Sequence, residues 1–102
     1  MLNNYEEGSL QVCSIGAGYV GALTSNVLAA SNPNIKVEVC DINEVLISKW
    51  NSRQYPIYEP GMDKVYEKAV DECKNLTFSA NVASTVEQSD VIYVSVNTPP
   101  KV

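Results

Sequence analysis

Three glycines near the start of the chain stand at a spacing typical of a phosphate-binding turn. Gly16, Gly18 and Gly21 occupy the first, third and sixth places of the segment GAGYVG, directly after an apolar run ending at Ile15. In a strand-to-helix turn, these glycines allow the tight turn, the close approach of a pyrophosphate and the close packing of the helix. The N-terminus of the following helix offers free N–H groups and partial positive charge to phosphates. The segment therefore predicts a dinucleotide-binding loop.

One acidic residue strengthens this interpretation. Asp41 follows the next predicted strand, residues 35–40, and lies 20 residues after Gly21. A carboxylate at this place accepts hydrogen bonds from the adenine-side ribose hydroxyls and disfavours a 2′-phosphate, so NAD is favoured over NADP. The alternative is a tight turn that binds nothing, with Asp41 capping the next helix.

Predicted strands and helices, which must position these residues, alternate along the chain. Predicted strands cover 10–15, 35–40, 76–79 and 91–96, and predicted helices cover 19–30, 44–51, 62–73 and 82–88, with Asn43 and Asn81 as N-caps. The nearly apolar last strand is typical of a strand covered on both faces. This alternation predicts an α/β fold with a parallel sheet and right-handed crossovers. The expected fold is a Rossmann-type doubly wound sheet, truncated to about four strands, over residues 10–102, with 1–9 as an N-terminal extension.

Composition excludes several classes of function. The net charge of −5 argues against a nucleic-acid surface, and the absence of histidine excludes a histidine relay or histidine metal ligands. The chain has no apolar run of membrane-spanning length, and its acidic start lacks the features of a signal peptide. Cys13, Cys40 and Cys73 show no paired metal-ligand spacing, so we expect reduced thiols in a cytoplasmic protein and no metal site.

Four blocks along the chain carry a family resemblance. IGAGYVG, CDIN, WNS followed by PIYEPG, and SVNTPPK occur in this order. Together they resemble the UDP-glucose 6-dehydrogenase family over about residues 11–102, which corresponds to the N-terminal part of its coenzyme-binding domain. The resemblance implies a homo-oligomeric parent enzyme that oxidises UDP-glucose to UDP-glucuronate with two NAD, and the composition indicates no nucleic-acid or membrane partner. Other UDP- or GDP-sugar dehydrogenases, or a non-catalytic dinucleotide-binding module, are the alternatives.

The resemblance assigns coenzyme contacts but no catalytic residue. By position, the pyrophosphate contacts are Gly16, Ala17, Gly18, Tyr19, Val20 and Gly21, the ribose contact is Asp41, and the loop along the coenzyme is Val96, Asn97, Thr98, Pro99 and Pro100. The family's catalytic cysteine and its partners lie beyond Val102, so this chain alone is expected to be inactive. A basic residue usual in the family is replaced by Leu46, which predicts weaker NAD binding unless Lys49 or Arg53 compensates.

Three features leave other roles open. Glu59 fits a helix entry where hydrogen bonds position it, and a contribution near the nicotinamide is the alternative. Tyr19 could pack beside the coenzyme or cover the sheet edge. Because the chain ends shortly after its last strand, we interpret it as a truncated enzyme and expect the open sheet edge to favour self-association.

Overall fold

A computed structural model describes residues 10–56 and 58–96 and contains a four-stranded parallel sheet. The strands are β1 (Gln11–Ile15), β2 (Lys36–Cys40), β3 (Leu76–Ser79) and β4 (Val91–Val94). They lie in the order β3-β2-β1-β4, and every neighbouring pair is parallel. The predicted α/β class and Rossmann-type topology are confirmed.

The direction of the chain through the sheet reverses beside β1. The chain moves outward from β1 to β2 and β3, then crosses back to place β4 on the opposite side of β1. Open α/β sheets bind ligands beyond the carboxyl ends of the strands at such a reversal. The glycine-containing segment leaves β1 at this point, so the topology places it where a ligand is expected.

The helices agree closely with the predicted ranges. They are α1 (Tyr19–Ser31), α2 (Glu44–Asn51), α3 (Met62–Glu67) and α4 (Val82–Gln88). A π-helical turn, Lys68–Glu72, extends α3, so the helix predicted over 62–73 is present with a wider last turn. No helix among the described residues has the length and apolar character needed to cross a membrane.

Asparagine side chains begin two of these helices, as the sequence predicts. The Oδ1 of Asn43 accepts a hydrogen bond from the N–H of Leu46, and that of Asn81 accepts one from Ser84, each at 3.1 Å. Each bond satisfies one of the N–H groups that a helix N-terminus leaves without an intrahelical partner. Asn43 therefore fixes the start of α2 at Glu44, shortly after Asp41.

The core combines small residues on α1 with an aromatic cluster that α2, α3 and β3 form together. Ala22 and Ala29 are fully buried, and their small side chains let α1 lie close to the sheet and to α3. Trp50 is also fully buried and stacks on Phe78, with ring centroids 5.3 Å apart, and on Tyr66 at 6.2 Å. The prediction that Trp50 belongs to the core is confirmed.

The last strand differs from its prediction. β4 ends at Val94 rather than residue 96, and the expectation of cover on both faces is wrong for the described chain. Val91, Ile92 and Val94 are 44%, 42% and 63% exposed. The cause is that β4 forms an edge of the sheet while α4 packs mainly on β1 and β2.

Candidate functional site

Two of the three glycines are required by contacts within the fold. Gly16 has φ +119°, and a Cβ there would lie 2.6 Å from the carbonyl oxygen of Ser95. A Cβ on Gly21 would lie 2.2 Å from the carbonyl oxygen of Gly16. Neither position has room for a side chain, because the opposing atoms belong to the backbone. These glycines let the chain turn sharply out of β1 and bring α1 against that turn.

Gly18 has a different surrounding. No atom lies within 4 Å of the place where its Cβ would be, and Gly18 is the N-cap of α1 without a side-chain hydrogen bond to the helix. The first turn of α1 contains no acidic residue. The start of this 13-residue helix therefore faces open space, and no acidic residue within its own first turn compensates its positive dipole end. These features fit a pyrophosphate group.

Asp41 lies beside the glycine loop, which comprises residues 16–21. Its Oδ2 accepts a hydrogen bond from the N–H of Ala17 at 2.9 Å, and its Oδ1 accepts one from the N–H of Asn43, also at 2.9 Å. Asp41 does not cap α2, because Asn43 does so. A carboxylate has about four acceptor positions, so two bonds leave capacity for ribose hydroxyls. The structure thus brings together the two features that the sequence pairs, across 24 residues.

The glycine loop has a further support that the sequence did not reveal. The indole Nε1–H of Trp50 donates a 2.9 Å hydrogen bond to the carbonyl of Ala17, and Tyr66 donates its hydroxyl to the carbonyl of Trp50 at 2.6 Å. Both bonds are buried. These two bonds connect the glycine loop to the aromatic cluster of the core. The sequence predicted that Trp50 of the WNS motif is buried, but it did not predict which group accepts the hydrogen bond from the indole N–H.

The end of β4 approaches the same loop. The N–H of Ser95 donates to the carbonyl of Ile15 at 2.8 Å, which places Ser95 against Gly16. Val96 follows and is 60% exposed. Asn97, Thr98, Pro99 and Pro100, the rest of the predicted coenzyme loop, lie outside the described residues.

Tyr19 connects the glycine loop to the segment before α3. Its hydroxyl donates a hydrogen bond to Oε1 of Glu59, and this bond is the main reason why the pKa of Tyr19 is raised above its ordinary value. The carbonyl of Glu59 accepts the N–H of Met62 at 3.0 Å. Glu59 thus stands at a helix entry, positioned by hydrogen bonds. A role for it near the nicotinamide stays a prediction.

Arg53 does not replace the missing charge at Leu46. Leu46 is half-buried and packs against the core. Both terminal nitrogens of Arg53 bind the carboxylate of Asp71, at 2.6 and 2.9 Å, and its guanidinium lies over the ring of Tyr66. This ion pair lowers the pKa of Asp71. Arg53 is therefore engaged within the fold rather than at the edge where Asp41 lies.

The cysteines offer no metal centre among residues 10–56 and 58–96. Cys13 and Cys40 are fully buried and Cys73 is half-buried, and none of the three is in a disulfide. No group of three or more possible metal ligands occurs in this part of the chain. The two buried thiols lie beside each other, a contact that the sequence did not predict.

The sequence profile of the UDP-glucose/GDP-mannose dehydrogenase family, NAD binding domain, matches residues 10–102. The chain belongs to this family. NAD is the coenzyme of the matched domain, in agreement with the prediction from Asp41 and the glycines.

Curated relatives identify the part of the family's proteins to which the chain corresponds. It is 47% identical over 91 residues to UDP-glucose 6-dehydrogenase of Pongo abelii and 51% identical over 94 residues to UDP-glucose 6-dehydrogenase 3 of Oryza sativa subsp. japonica. These matches cover 89% and 90% of the chain but only 18% and 19% of the relatives. The chain thus spans about a fifth of their length.

Solved structures of family members have the same fold. A UDP-glucose dehydrogenase from Pyrobaculum islandicum superposes with a TM-score of 0.80 at 24% identity, over 99% of this chain and 23% of that one. A GDP-mannose dehydrogenase from Pseudomonas aeruginosa gives 0.77 at 29% identity, over 88% and 20%. The four-stranded unit described above is therefore common to nucleotide-sugar dehydrogenases of different substrates.

Proposed function

We propose that this chain is the NAD-binding part of a UDP-glucose 6-dehydrogenase and that Asp41 selects the coenzyme. The observation that carries this proposal is the hydrogen bond from the N–H of Ala17 to the carboxylate of Asp41. It fixes an acidic acceptor beside a glycine loop whose helix N-terminus is open. A pyrophosphate at the loop and a ribose diol at the carboxylate satisfy both features with a single ligand.

The proposed coenzyme contacts fall into three groups. Gly16, Ala17, Gly18, Tyr19, Val20 and Gly21 hold the pyrophosphate, Asp41 holds the adenine-side ribose, and Val96, Asn97, Thr98, Pro99 and Pro100 run along the coenzyme. Backbone N–H groups at the start of α1 supply the phosphate contacts, so no basic side chain is needed there. No catalytic or metal-binding residue is assigned to this chain.

The parent reaction is the oxidation of UDP-glucose to UDP-glucuronate with two NAD. NAD accepts a hydride from the sugar C6 in such a reaction. The names and the 47% to 51% identity of the curated relatives favour UDP-glucose over GDP-mannose. The parent is further proposed to be a cytoplasmic homo-oligomer, with residues 1–9 as an extension and 10–102 as the first part of its NAD-binding domain.

Replacing Asp41 tests the coenzyme site. We expect Asp41→Asn to weaken NAD binding by about tenfold to a hundredfold, since a hydrogen bond to a charged group contributes about 1.5–3 kcal/mol. Calorimetric titration of NAD into the 102-residue chain measures this change. Glu87→Gln, which removes an exposed carboxylate on α4, is the matched control and should bind like wild type. Equal affinity of Asp41→Asn and wild type would contradict the assignment.

A substrate panel tests the parent reaction. The natural gene product should reduce NAD with UDP-glucose, and not with GDP-mannose or UDP-N-acetylmannosamine, when absorbance of NADH is followed. Preference for another nucleotide sugar would replace UDP-glucose in the proposal while leaving the coenzyme site unchanged. A natural product that binds NAD but oxidises none of these sugars would favour a non-catalytic module.

A further inference from the structure

Two buried thiols lie on β1 and β2, the strands that end at the glycine loop and at Asp41. The Sγ atoms of Cys13 and Cys40 are 3.5 Å apart, and both residues are 0% exposed. Cys13 lies in the middle of β1, and Cys40 is the last residue of β2. The proposed coenzyme site uses neither thiol.

The sheet register brings the two side chains to one face. Cys13 stands opposite Glu38, and Ile15 stands opposite Cys40, so the cysteines are diagonal neighbours on adjacent parallel strands. A disulfide has a sulfur–sulfur distance of about 2 Å, so the two atoms must approach by about 1.5 Å. Diagonal Cα atoms on neighbouring strands lie about 7–8 Å apart, beyond the reach of a disulfide without backbone movement, so closing the bond must also shift the backbone at Cys40.

The backbone of Cys40 and the side chain of Asp41 carry contacts that hold the glycine loop. The carbonyl of Cys40 accepts the N–H of Gly16 at 2.8 Å, and the next residue, Asp41, accepts the N–H of Ala17. The thiol of Cys40 donates to the carbonyl of Ser14 at 3.5 Å. A displacement of Cys40 toward Cys13 therefore moves the carboxylate of Asp41 relative to the glycine loop.

We propose that Cys13 and Cys40 are a redox-modification site, whose oxidation to an intramolecular disulfide weakens NAD binding. With hydrogen peroxide as the oxidant, the two S–H groups lose their hydrogens, one S–S bond forms, and the O–O bond breaks. The products are the disulfide and two water molecules, so the sulfurs are oxidised and the peroxide is reduced. The affinity effect rests on the proposed coenzyme site, whereas the disulfide does not.

Burial determines which reagents reach the pair and how fast. It raises the pKa of Cys40 to about 12, and the hydrogen bond with Cys13 adds to this effect. The thiolate is the reactive form, so oxidation is slow at neutral pH and accelerates as the pH rises. A small oxidant reaches the site more readily than a bulky thiol reagent does. Cytosolic disulfides are usually transient and redox-sensing, which fits a modification that a reductant reverses.

Mass spectrometry tests whether the disulfide forms. The 102-residue chain is treated with hydrogen peroxide, and we expect the monomer to lose two hydrogen masses and a peptide map to link Cys13 to Cys40. Cys73→Ser should behave like wild type, whereas Cys13→Ala and Cys40→Val should show no such loss. Oxidation that gives only sulfinic acids, or dimers linked through Cys73, would overturn the proposal. The wild-type map decides this even where a variant folds poorly.

NAD titration of the reduced and oxidised chains tests the effect on affinity. We expect the disulfide form to bind NAD more weakly by about fivefold or more, and dithiothreitol to restore the affinity. By linkage, NAD should shift the thiol–disulfide equilibrium toward the thiols by the same factor. Equal affinity of the two forms would overturn the proposed effect. A chain that forms the disulfide but binds no NAD in either state would contradict the coenzyme site, not the disulfide.

Discussion

At the scale of single residues, the three glycines of the loop have different physical reasons for being glycine. Gly16 and Gly21 face backbone atoms of the same protein at distances that exclude a side chain. Gly18 faces open space, and its φ of −79° is accessible to any residue. Stability therefore requires two of the glycines, and only a ligand would require the third.

Alanine substitutions separate these two requirements. We expect Gly21→Ala to lower the free energy of unfolding by about 1–3 kcal/mol, because its Cβ must displace backbone. Gly18→Ala should lower that free energy by less, about 0.5–1 kcal/mol, because alanine is a poorer N-cap than glycine but meets no backbone atom here. It should nevertheless weaken NAD binding by about tenfold or more, a loss of about 1.4 kcal/mol, because its Cβ occupies the proposed phosphate space. Urea unfolding and NAD titration measure the two effects, and unchanged NAD affinity of Gly18→Ala would count against the phosphate site.

A substitution at Leu46 offers a test in which NAD binding should become tighter. We expect Leu46→Arg to tighten NAD binding by about two- to fivefold, since exposed charge pairs contribute about 0.2–1 kcal/mol. The half-buried position lets the arginine stem pack while its guanidinium reaches solvent. Val45→Arg adds the same charge at a 66% exposed neighbour and is the matched control. Equal NAD affinities of the two variants and wild type would show that Leu46 does not weaken binding.

At the scale of elements, α2 supports the loop through one side chain. The indole N–H of Trp50 is the buried donor for the carbonyl of Ala17. Trp50→Phe preserves an aromatic ring but leaves this carbonyl without its donor, and we expect a loss of about 1–3 kcal/mol in the free energy of unfolding. Urea unfolding checks this value. Tyr55→Phe, which keeps the ring in the same aromatic cluster, should lose less, and equal losses would contradict a specific role for the indole N–H.

Element types and most of their bounds follow from the sequence, but two ends do not. Apolar periodicity and the caps Asn43 and Asn81 predict the strands and helices. The end of β4 depends on its partner, because Val94 is aligned with Ile15, the last residue of β1. The valines of 91–96 have the same strand preference whether or not a partner is present. Similarly, nothing in the apolar spacing marks the π-helical turn after α3.

At the scale of the whole molecule, the contacts that the sequence did not predict join residues far apart in the chain. The bond between Tyr19 and Glu59 joins residues 40 apart, and the thiol contact of Cys13 and Cys40 joins residues 27 apart. Sequence reasoning predicted the loop and its acidic partner because a known fold fixes their spacing. It had no comparable rule for these two contacts, which depend on side-chain packing after the sheet has formed.

Because β4 is an exposed edge strand, we expect the chain to self-associate. Val94 is 63% exposed on β4, whose outer edge lacks a partner among the described residues. We expect wild type to associate with rising concentration and Val94→Lys to remain more monomeric, because a charged edge residue disfavours strand pairing between chains. Sedimentation velocity measures this. Val27→Lys changes a 55% exposed valine on α1 and is the control, and a strictly monomeric wild type would contradict the prediction.

The most direct test of the coenzyme site compares NAD with NADP in the same chain. Calorimetric titration of wild type should give an NAD affinity at least about tenfold above that for NADP, because the carboxylate of Asp41 repels the 2′-phosphate. Asp41→Asn should reduce this preference by weakening NAD and relieving the repulsion of NADP. Equal binding of the two coenzymes by wild type, or a preference that Asp41→Asn leaves unchanged, would contradict the assignment of Asp41 as the ribose-binding residue.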